Sequence, residues 1–314
     1  MWIKSLSSGP PGFLRKWSFL MNIDFYREFE RRFRGSTELI TSRLRVYEPL
    51  LSSLKEHYSD LPALDLGCGR GEWLTVLKEH GFSAIGVDQD QGMLSCGAQD
   101  GLNTYLGDAL SYLKGQPDNS QVIISAFHLV EHISFEDLYS LVSESHRVLK
   151  PGGILLMETP NPENLMVATS YFYLDPTHRR PIPLGLLSFV VEYCGFSQIK
   201  VMRLQEKNEL LNETPLSFRC VLEGASPDYA VVAQKDSGLA SLSIMSEEFS
   251  KDYGVSLADA VDVYESAALA QNRRLEESIK KLQDELEAIK TSWVWRFGAC
   301  LSALGNLVAG RKQK

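Results

Sequence analysis

The sequence predicts an α/β fold: a parallel central sheet with helices on both faces, followed by a coiled-coil helix near the C-terminal end. Three observations predict it. From Leu61 onward, short apolar runs alternate with amphipathic stretches, a βαβα rhythm whose short connections build a parallel sheet. The first of those runs stops in Gly67, Gly69 and Gly71, within L-D-L-G-C-G-R-G-E-W. Far downstream, Leu275, Ile279, Leu282, Leu286, Ile289 and Trp293 follow in steps of 4, 3, 4, 3 and 4, an a/d seam.

The 314 residues, 44% hydrophobic and 23% charged, suffice for two average domains or for one α/β domain with extensions. A formal net charge of −8 excludes a general nucleic-acid binder, which would carry a basic footprint. Cys68, Cys96, Cys194, Cys220 and Cys300 are scattered without a C-x-x-C pair and read as reduced thiols. With no apolar h-region near the start and no run of about 18 apolar residues, a cytoplasmic location is expected.

Taken in order, residues 1–21, with Gly9-Pro10-Pro11-Gly12, read as a leader without chemistry, and Met21 as an alternative start. Residues 22–60 form N-terminal helices: Phe25, Phe29 and Phe33 recur every four residues, and Leu39, Ile40, Leu44, Tyr47 and Leu51 continue beyond a break at Gly35. The main domain covers 61–235. It has expected strands at 62–66, 84–88, 103–106, 121–126, 153–158, 197–204, 217–222 and 229–235, and expected helices at 71–80, 91–99 and 135–149. Pro151-Gly152-Gly153 is the expected turn after the last of these helices. Ser-rich residues 236–260 read as a linker with a short helix. In the coiled-coil helix, 261–292, Asn272 takes an a position and Arg273, Glu277, Lys280, Lys281 and Glu285 suit a solvated exterior. The seam implies self-association, although one helix packed back on the domain gives the same pattern. In the tail, 293–314, Trp293, Phe297, Leu301, Leu304 and Val308 share a face ahead of Arg311, Lys312 and Lys314. Such a helix suits an anionic membrane surface, which would make the protein peripheral at the inner face, or else a partner protein or a core.

Which ligand the glycine turn holds follows from its neighbours. It ends a strand and opens a helix, the place where open α/β sheets bind ligands through free backbone N–H groups. Glycine there permits close approach and positive φ. A nicotinamide cofactor asks for G-x-G-x-x-G against a pyrophosphate. Here the pattern is D-x-G-x-G-x-G, and Asp65, two residues ahead of Gly67, suits an ammonium group on a ligand without phosphates. S-adenosylmethionine (SAM) is such a ligand. Asp88 ends the second strand, where a carboxylate can accept both ribose hydroxyls, and Met93 is spaced to pack on adenine. Asp108, with Ala109 beside it, follows the third strand and can accept from the adenine amino group. Arg34, next to Gly35, is a candidate for the cofactor carboxylate, with helix capping as the plainer reading.

L-D-L-G-C-G-R-G, I-G-V-D, G-D-A, A-F-H-L-V-E-H and R-V-L-K-P-G-G, in that order and spacing, resemble the class I SAM-dependent methyltransferases over about residues 25–235. The resemblance implies a Rossmann-like sheet of seven strands with an antiparallel last strand. F-Y-R-E-F-E-R-R-F-R-G-S, E-T-P-N-P-E-N-L and F-Y-L-D-P-T-H-R-R-P are similar to bacterial methyltransferases of O-antigen and polysaccharide gene clusters, as is a coiled coil with a W-R-F tail. That implies, as acceptor, a hydroxyl or phosphate of a glycan or lipid-linked sugar precursor in lipopolysaccharide assembly. Two alternatives stand beside it: a methyltransferase of small, quinone-like molecules or secondary metabolites, and a SAM-fold scaffold for glycan-assembly enzymes.

Methyl transfer from a sulfonium is an in-line displacement with an activated donor, so the protein must chiefly align the groups and exclude water. A hydroxyl acceptor also needs a base. His128, Glu131 and His132 follow the fourth strand, and His132 is the first candidate base, unless it only bonds backbone. His178 is the second catalytic candidate, on a Pro-bounded loop with Arg179 and Arg180. These arginines and His128 are candidates for acceptor binding, suited to a phosphate or carboxylate. No metal is expected, since the cofactor accounts for the acids and no Asp/Glu/His cluster is left over.

Overall fold

The computed structural model describes residues 32–33, 35–99, 101–212, 215–236, 245–294, 296–298 and 300–302. The leader, Phe25, Phe29, Arg34, Leu304, Val308, Arg311, Lys312 and Lys314 lie outside the described residues.

Seven strands form one sheet: β1 (Pro62–Leu66), β2 (Ser83–Asp88), β3 (Thr104–Leu106), β4 (Gln121–Phe127), β5 (Leu149–Pro160), β6 (Gln198–Leu204) and β7 (Asp228–Gln234). Their order is β3-β2-β1-β4-β5-β7-β6, parallel except for β7, which runs antiparallel to both of its neighbours. The fold is therefore the Rossmann-like one expected. Side-chain alternation divides the core between the faces. Leu64, Leu66, Leu155, Met157 and Val231 point into one cluster with Leu138, Leu141 and Val142 of α6 (Phe135–Val148) and Leu187, Val190 and Val191 of α8 (Leu184–Tyr193). Ala63, Ile154, Leu156, Ala230 and Val232 point into the other. That second cluster also takes Leu44 of α1 (Thr37–Leu44), Leu50, Leu51 and Leu54 of α2 (Glu48–His57), and Trp73, Val76 and Leu77 of α3 (Glu72–Glu79). Shorter helices α4 (Gln91–Gln99), α5 (Ala109–Lys114) and α7 (Leu165–Thr169) complete this part of the chain.

Three expectations change. The stretch 217–222 forms no strand: from Arg219 it is helical, α10 (Arg219–Glu223), which follows the short α9 (Asn208–Asn212); its Cys220 and Val221 are buried. A short apolar run has no period long enough to separate strand from helix. Pro151-Gly152-Gly153 is not an isolated turn but part of β5, laced to Lys235 by Gly152 N–H to Lys235 O at 3.0 Å and Lys235 N–H to Gly153 O at 3.0 Å. Residues 245–255 do not act as a linker. Met245 is fully buried, and α11 (Ser246–Ser250) brings Phe249 onto the second core cluster, as does Tyr253.

The chain divides into two compact units, Met1–Glu206 with Ser226–Val255, and Lys207–Ala225 with Ser256–Lys314. In the second unit α12 (Leu257–Thr291) runs for 35 residues behind a capping box, in which Ser256 and Asp259 bond each other's backbone. Its seam residues Leu275, Ile279, Leu282, Leu286 and Ile289 are between 50% and 64% exposed. Among the described residues no helix is long and apolar enough to cross a membrane.

Tyr47, fully buried on the 3₁₀ turn between α1 and α2, packs its ring 5.9 Å from that of Trp73 and 5.6 Å from that of Phe127, and its hydroxyl donates to Glu158. Tyr47→Phe keeps the packing but takes a donor from a buried carboxylate. It is expected to lower stability by about 1–3 kcal/mol, read as a lower urea midpoint at unchanged m-value.

Candidate active site

A cavity of about 570 Å³ opens at the carboxyl ends of β1, β2, β4 and β5. One wall is the glycine turn. Gly67, Gly69 and Gly71 have φ of +72°, +53° and +88°, the left-handed conformation for which glycine was expected. Gly67 and Cys68 both donate N–H to Val87 O, at 2.8 and 3.1 Å, which fastens the turn to β2. Gly69 N–H donates to Asp88 Oδ2 at 2.9 Å and Asp90 N–H to Asp88 Oδ1 at 2.8 Å. Each Asp88 oxygen thus spends one lone pair on the backbone and keeps another for a ligand hydroxyl. Asp65 is 2% exposed, accepts from Ser125 Oγ at 2.7 Å and lines the cavity, as Met93 does. Asp108 and Ala109 do not line it. Asp108 instead caps α5, accepting from Ser111 N–H at 2.8 Å and Gln89 Nε2 at 2.9 Å. Those bonds, Ser111's first, hold its carboxyl below the ordinary value. Arg34 lies outside the described residues.

The opposite wall begins where β4 ends. His128 takes a φ of +50°, rare for a side chain with a Cβ, and its N–H donates to Glu158 O at 2.8 Å. Its Nδ1 is 3.3 Å from Glu131 Oε1 and its Nε2 is 3.5 Å from Glu158 Oε1. Desolvation by the surrounding protein works against a charge on this ring, although the side chain is 41% exposed, and the hydrogen bonds to Glu131 and Glu158, then the charge of Asp228, outweigh it and hold His128 well above its usual value. It is an imidazolium among carboxylates. Asp228, at the start of β7, is pushed up to about 6, chiefly by burial. Burial raises Glu131 as well, yet the bond and charge of His128 bring it net below the ordinary range.

His132 and His178, the two expected catalytic residues, come from distant segments and meet here, ring centroids 4.6 Å apart and edge to face. His132 Nδ1 is 2.9 Å from Thr177 Oγ1, whose own hydroxyl donates to Asp175 Oδ1 at 2.6 Å. His132 must therefore donate from Nδ1, which leaves Nε2 with a lone pair. Burial keeps it below the usual histidine value, so the neutral form prevails at neutral pH. His178 Nδ1 donates to Phe172 O at 2.6 Å, and its Nε2 lies 4.0 Å from Glu131 Oε1.

The arginine pair is turned away. Arg179 and Arg180 are exposed and do not line the cavity; the Arg180 guanidinium lies 5.1 Å from the centroid of the Phe135 ring, where its cation rests on the π face. The expectation that no Asp/Glu/His cluster remains also fails. Glu131, His132 and His178 form one such group and His128, Glu158 and Asp228 another, each with its ligating atoms within 4.8 Å. Sequence spacing missed Glu158, Asp228 and Gln205, the last with a φ of +66° and also in the cavity wall. One signal was available: an antiparallel strand brings its first residue to the end where parallel strands finish, and Asp228 pairs with Pro160.

An acidic, glycine-cradled cofactor wall on this seven-stranded sheet defines a SAM-dependent methyltransferase domain. The family described as "Methyltransferase domain" matches residues 64–157. A SAM-dependent methyltransferase from Archaeoglobus fulgidus is 34% identical, with 67% of this chain and 100% of that chain covered and a TM-score of 0.58. A probable SAM-dependent methyltransferase from Mycolicibacterium smegmatis is 26% identical over 152 residues, 48% of this chain and 58% of that protein. A ubiquinone biosynthesis O-methyltransferase from Rickettsia bellii is 27% identical over 120 residues, 36% of this chain and 48% of that protein. The chain spans about half the length of these curated relatives. It belongs to the class I SAM-dependent methyltransferases, whose cofactor is SAM.

Asp65, Gly67, Gly69, Asp88 and Met93 fit that cofactor: the acids suit its ammonium group and ribose hydroxyls, and the glycines let it approach the backbone. Asp88→Ala removes the carboxylate that suits the ribose hydroxyls and two backbone anchors of the turn. It is expected to weaken SAM binding about 10–100-fold, measured by calorimetry.

Proposed function

We propose that this protein transfers the methyl group of SAM to a hydroxyl of a glycan or lipid-linked sugar precursor in surface polysaccharide (O-antigen) biosynthesis. The observation that carries the reading is the pairing, in one cavity, of the cofactor wall with a wall of hydroxyl-binding groups: Glu158, Asp228, Gln205, His132 and His178. Carboxylates and a carboxamide suit a neutral, polyhydroxylated acceptor and repel a phosphate, so of the two acceptor atoms expected the hydroxyl is favoured. The stretch similar to polysaccharide-cluster methyltransferases supports the same acceptor, because its Leu174, Asp175 and His178 line the cavity.

Bound SAM supplies a methyl group already activated on sulfur. The chain's part is alignment and proton handling. Asp65 and Asp88 hold the donor, Trp73, Phe127 and Leu129 close the wall against water, and His132 meets the acceptor hydroxyl through Nε2. A quinol acceptor is the second reading. It is supported by the likeness to the ubiquinone O-methyltransferase and by the apolar Phe33, Ile40 and Leu44 in the cavity lining. The seam of α12 supports pairing with a second copy of the chain, and the basic tail supports a peripheral place at the inner face of a membrane.

Labelled methyl transfer to lipid-linked glycan, but not to quinol analogues, is the expected outcome; transfer to the quinol alone would reverse it. His132→Ala is expected to lower kcat about 10²–10⁴-fold with SAM affinity unchanged. For the C-terminal part, Ile279→Glu with Leu286→Glu is expected to halve the sedimenting mass, and removing 293–314 to reduce pelleting with anionic vesicles. Unchanged mass and unchanged pelleting would each remove the corresponding contact.

A further inference from the structure

We infer that Glu131, His132 and His178 bind one divalent transition-metal ion on the acceptor side of the cavity. The site is argued from the side chains alone; its part in the reaction rests on the methyl-transfer reading above.

The three ligating atoms lie within 4.8 Å of one another, and Glu131 Oε1 is 4.0 Å from His178 Nε2. Around a metal with nitrogen and oxygen ligands, neighbouring donor atoms stand about 3.0–3.4 Å apart, so a closure of about 1 Å completes the set. The hydrogen bonds leave little choice about what these atoms can do. His178 Nδ1 donates to Phe172 O, and His132 Nδ1 donates to Thr177 Oγ1, whose hydroxyl donates to Asp175 Oδ1. Each ring is thus anchored through Nδ1, and His178 Nε2 lies 4.0 Å from Glu131 Oε1 and 3.9 Å from Asp175 Oδ2. Imidazole nitrogens beside carboxylates offer a cation several donors at once. A histidine whose second N–H is anchored to a carbonyl, or through a hydroxyl to a carboxylate, is the usual posture of a metal ligand.

The carboxylate is equally prepared. Glu131 is fully buried; Thr159 Oγ1 donates to its Oε2 at 2.9 Å and His128 Nδ1 approaches its Oε1 at 3.3 Å. Two imidazoles and one carboxylate suit zinc, cobalt, manganese or iron rather than magnesium or calcium, which prefer all-oxygen shells. His132 and His178 line the cavity, so the remaining coordination positions face the acceptor. The second group, His128 with Glu158 and Asp228, is different: both ring nitrogens of His128 already face carboxylates, and the cation there is His128 itself.

With its Nε2 spent on the ion, His132 acts on the acceptor through the metal and not as a free base, and a hydroxyl bound at the ion is more acidic than the free alcohol. Its oxygen forms the O–CH3 bond as the S–CH3 bond breaks. The bonding pair stays on sulfur, giving S-adenosylhomocysteine, and the hydroxyl proton leaves to water.

The test is titration of chelator-stripped full-length protein with Zn²⁺ and with Co²⁺, read by mass spectrometric metal content and by the visible bands of Co²⁺. One ion per chain is expected, lost in His178→Ala. Thr177→Val, which removes the anchor of His132 and its link to Asp175 but none of the proposed ligands, should weaken binding about 10–100-fold. SAM affinity, unchanged in both variants, reports that they fold. Metal contents far below one per chain, or binding that neither substitution alters, would overturn the site. Full methyl transfer by metal-free protein would overturn its role while leaving the methyltransferase reading intact, and failure to bind SAM would sink that reading without touching the metal result.

Discussion

A carboxylate almost out of water at the end of a central strand is the constraint around which this cavity is assembled. Glu158 is 4% exposed, and a buried charge survives only with partners. The chain brings them from three separate segments: the Tyr47 hydroxyl, the His128 imidazolium and, at 3.4 Å, the Gln205 amide. Glu131 and Asp228 share the same cation, so three acids depend on one histidine. Removing one partner strands the others without a counter-charge, a cost that solvent screening moderates at His128, whose side chain is 41% exposed. The same dependence explains why His128 tolerates a left-handed backbone. Its place is set by ring and main-chain bonds together, and the strain is held by the network around it.

The N-terminal helices are part of this arrangement rather than an appendage. Leu50, Leu51 and Leu54 of α2 are in the sheet's second core, while Ile40, Arg43 and Leu44 of α1 line the cavity. Arg70, in the glycine turn, reaches back to Gly35 O at 3.3 Å and pairs with Glu72 at 2.6 Å. The cofactor turn and the segment that covers the cavity are thereby tied to one another as well as to the sheet.

How much of this was legible follows from distance along the chain. The cofactor wall is local: Asp65, Gly67 and Gly69 lie within one strand-turn, and Asp88 ends the next strand, so spacing alone exposed them. Asp108 obeyed the same spacing yet turned to its own helix, because a carboxylate at an N-cap has a donor at hand before any ligand arrives. The opposite wall is assembled from β4, β5, β7 and the loop of His178. Its pairings depend on strand order, and Glu158 and Asp228 carry no mark in sequence of facing one another's partners. His132 and His178 were both named as candidates, but only the fold shows that they share Glu131. Arg180 was misread for want of Phe135, an aromatic face 45 positions away along the chain. The helix at Arg219–Glu223 was hidden because a run of that length has no readable period.

Strand β7 has a consequence for the order in which the molecule is completed as it is synthesised. Among the described residues it is the last strand made, yet it sits between β5 and β6, and β6 has no other described neighbour in the sheet. While the chain emerges, β6 waits for a strand not yet made. Asp228 is the first residue of that strand. The cavity is thus finished late: among its described lining residues Asp228 is the last to be made, after the glycine turn, the histidines beyond β4 and Glu158.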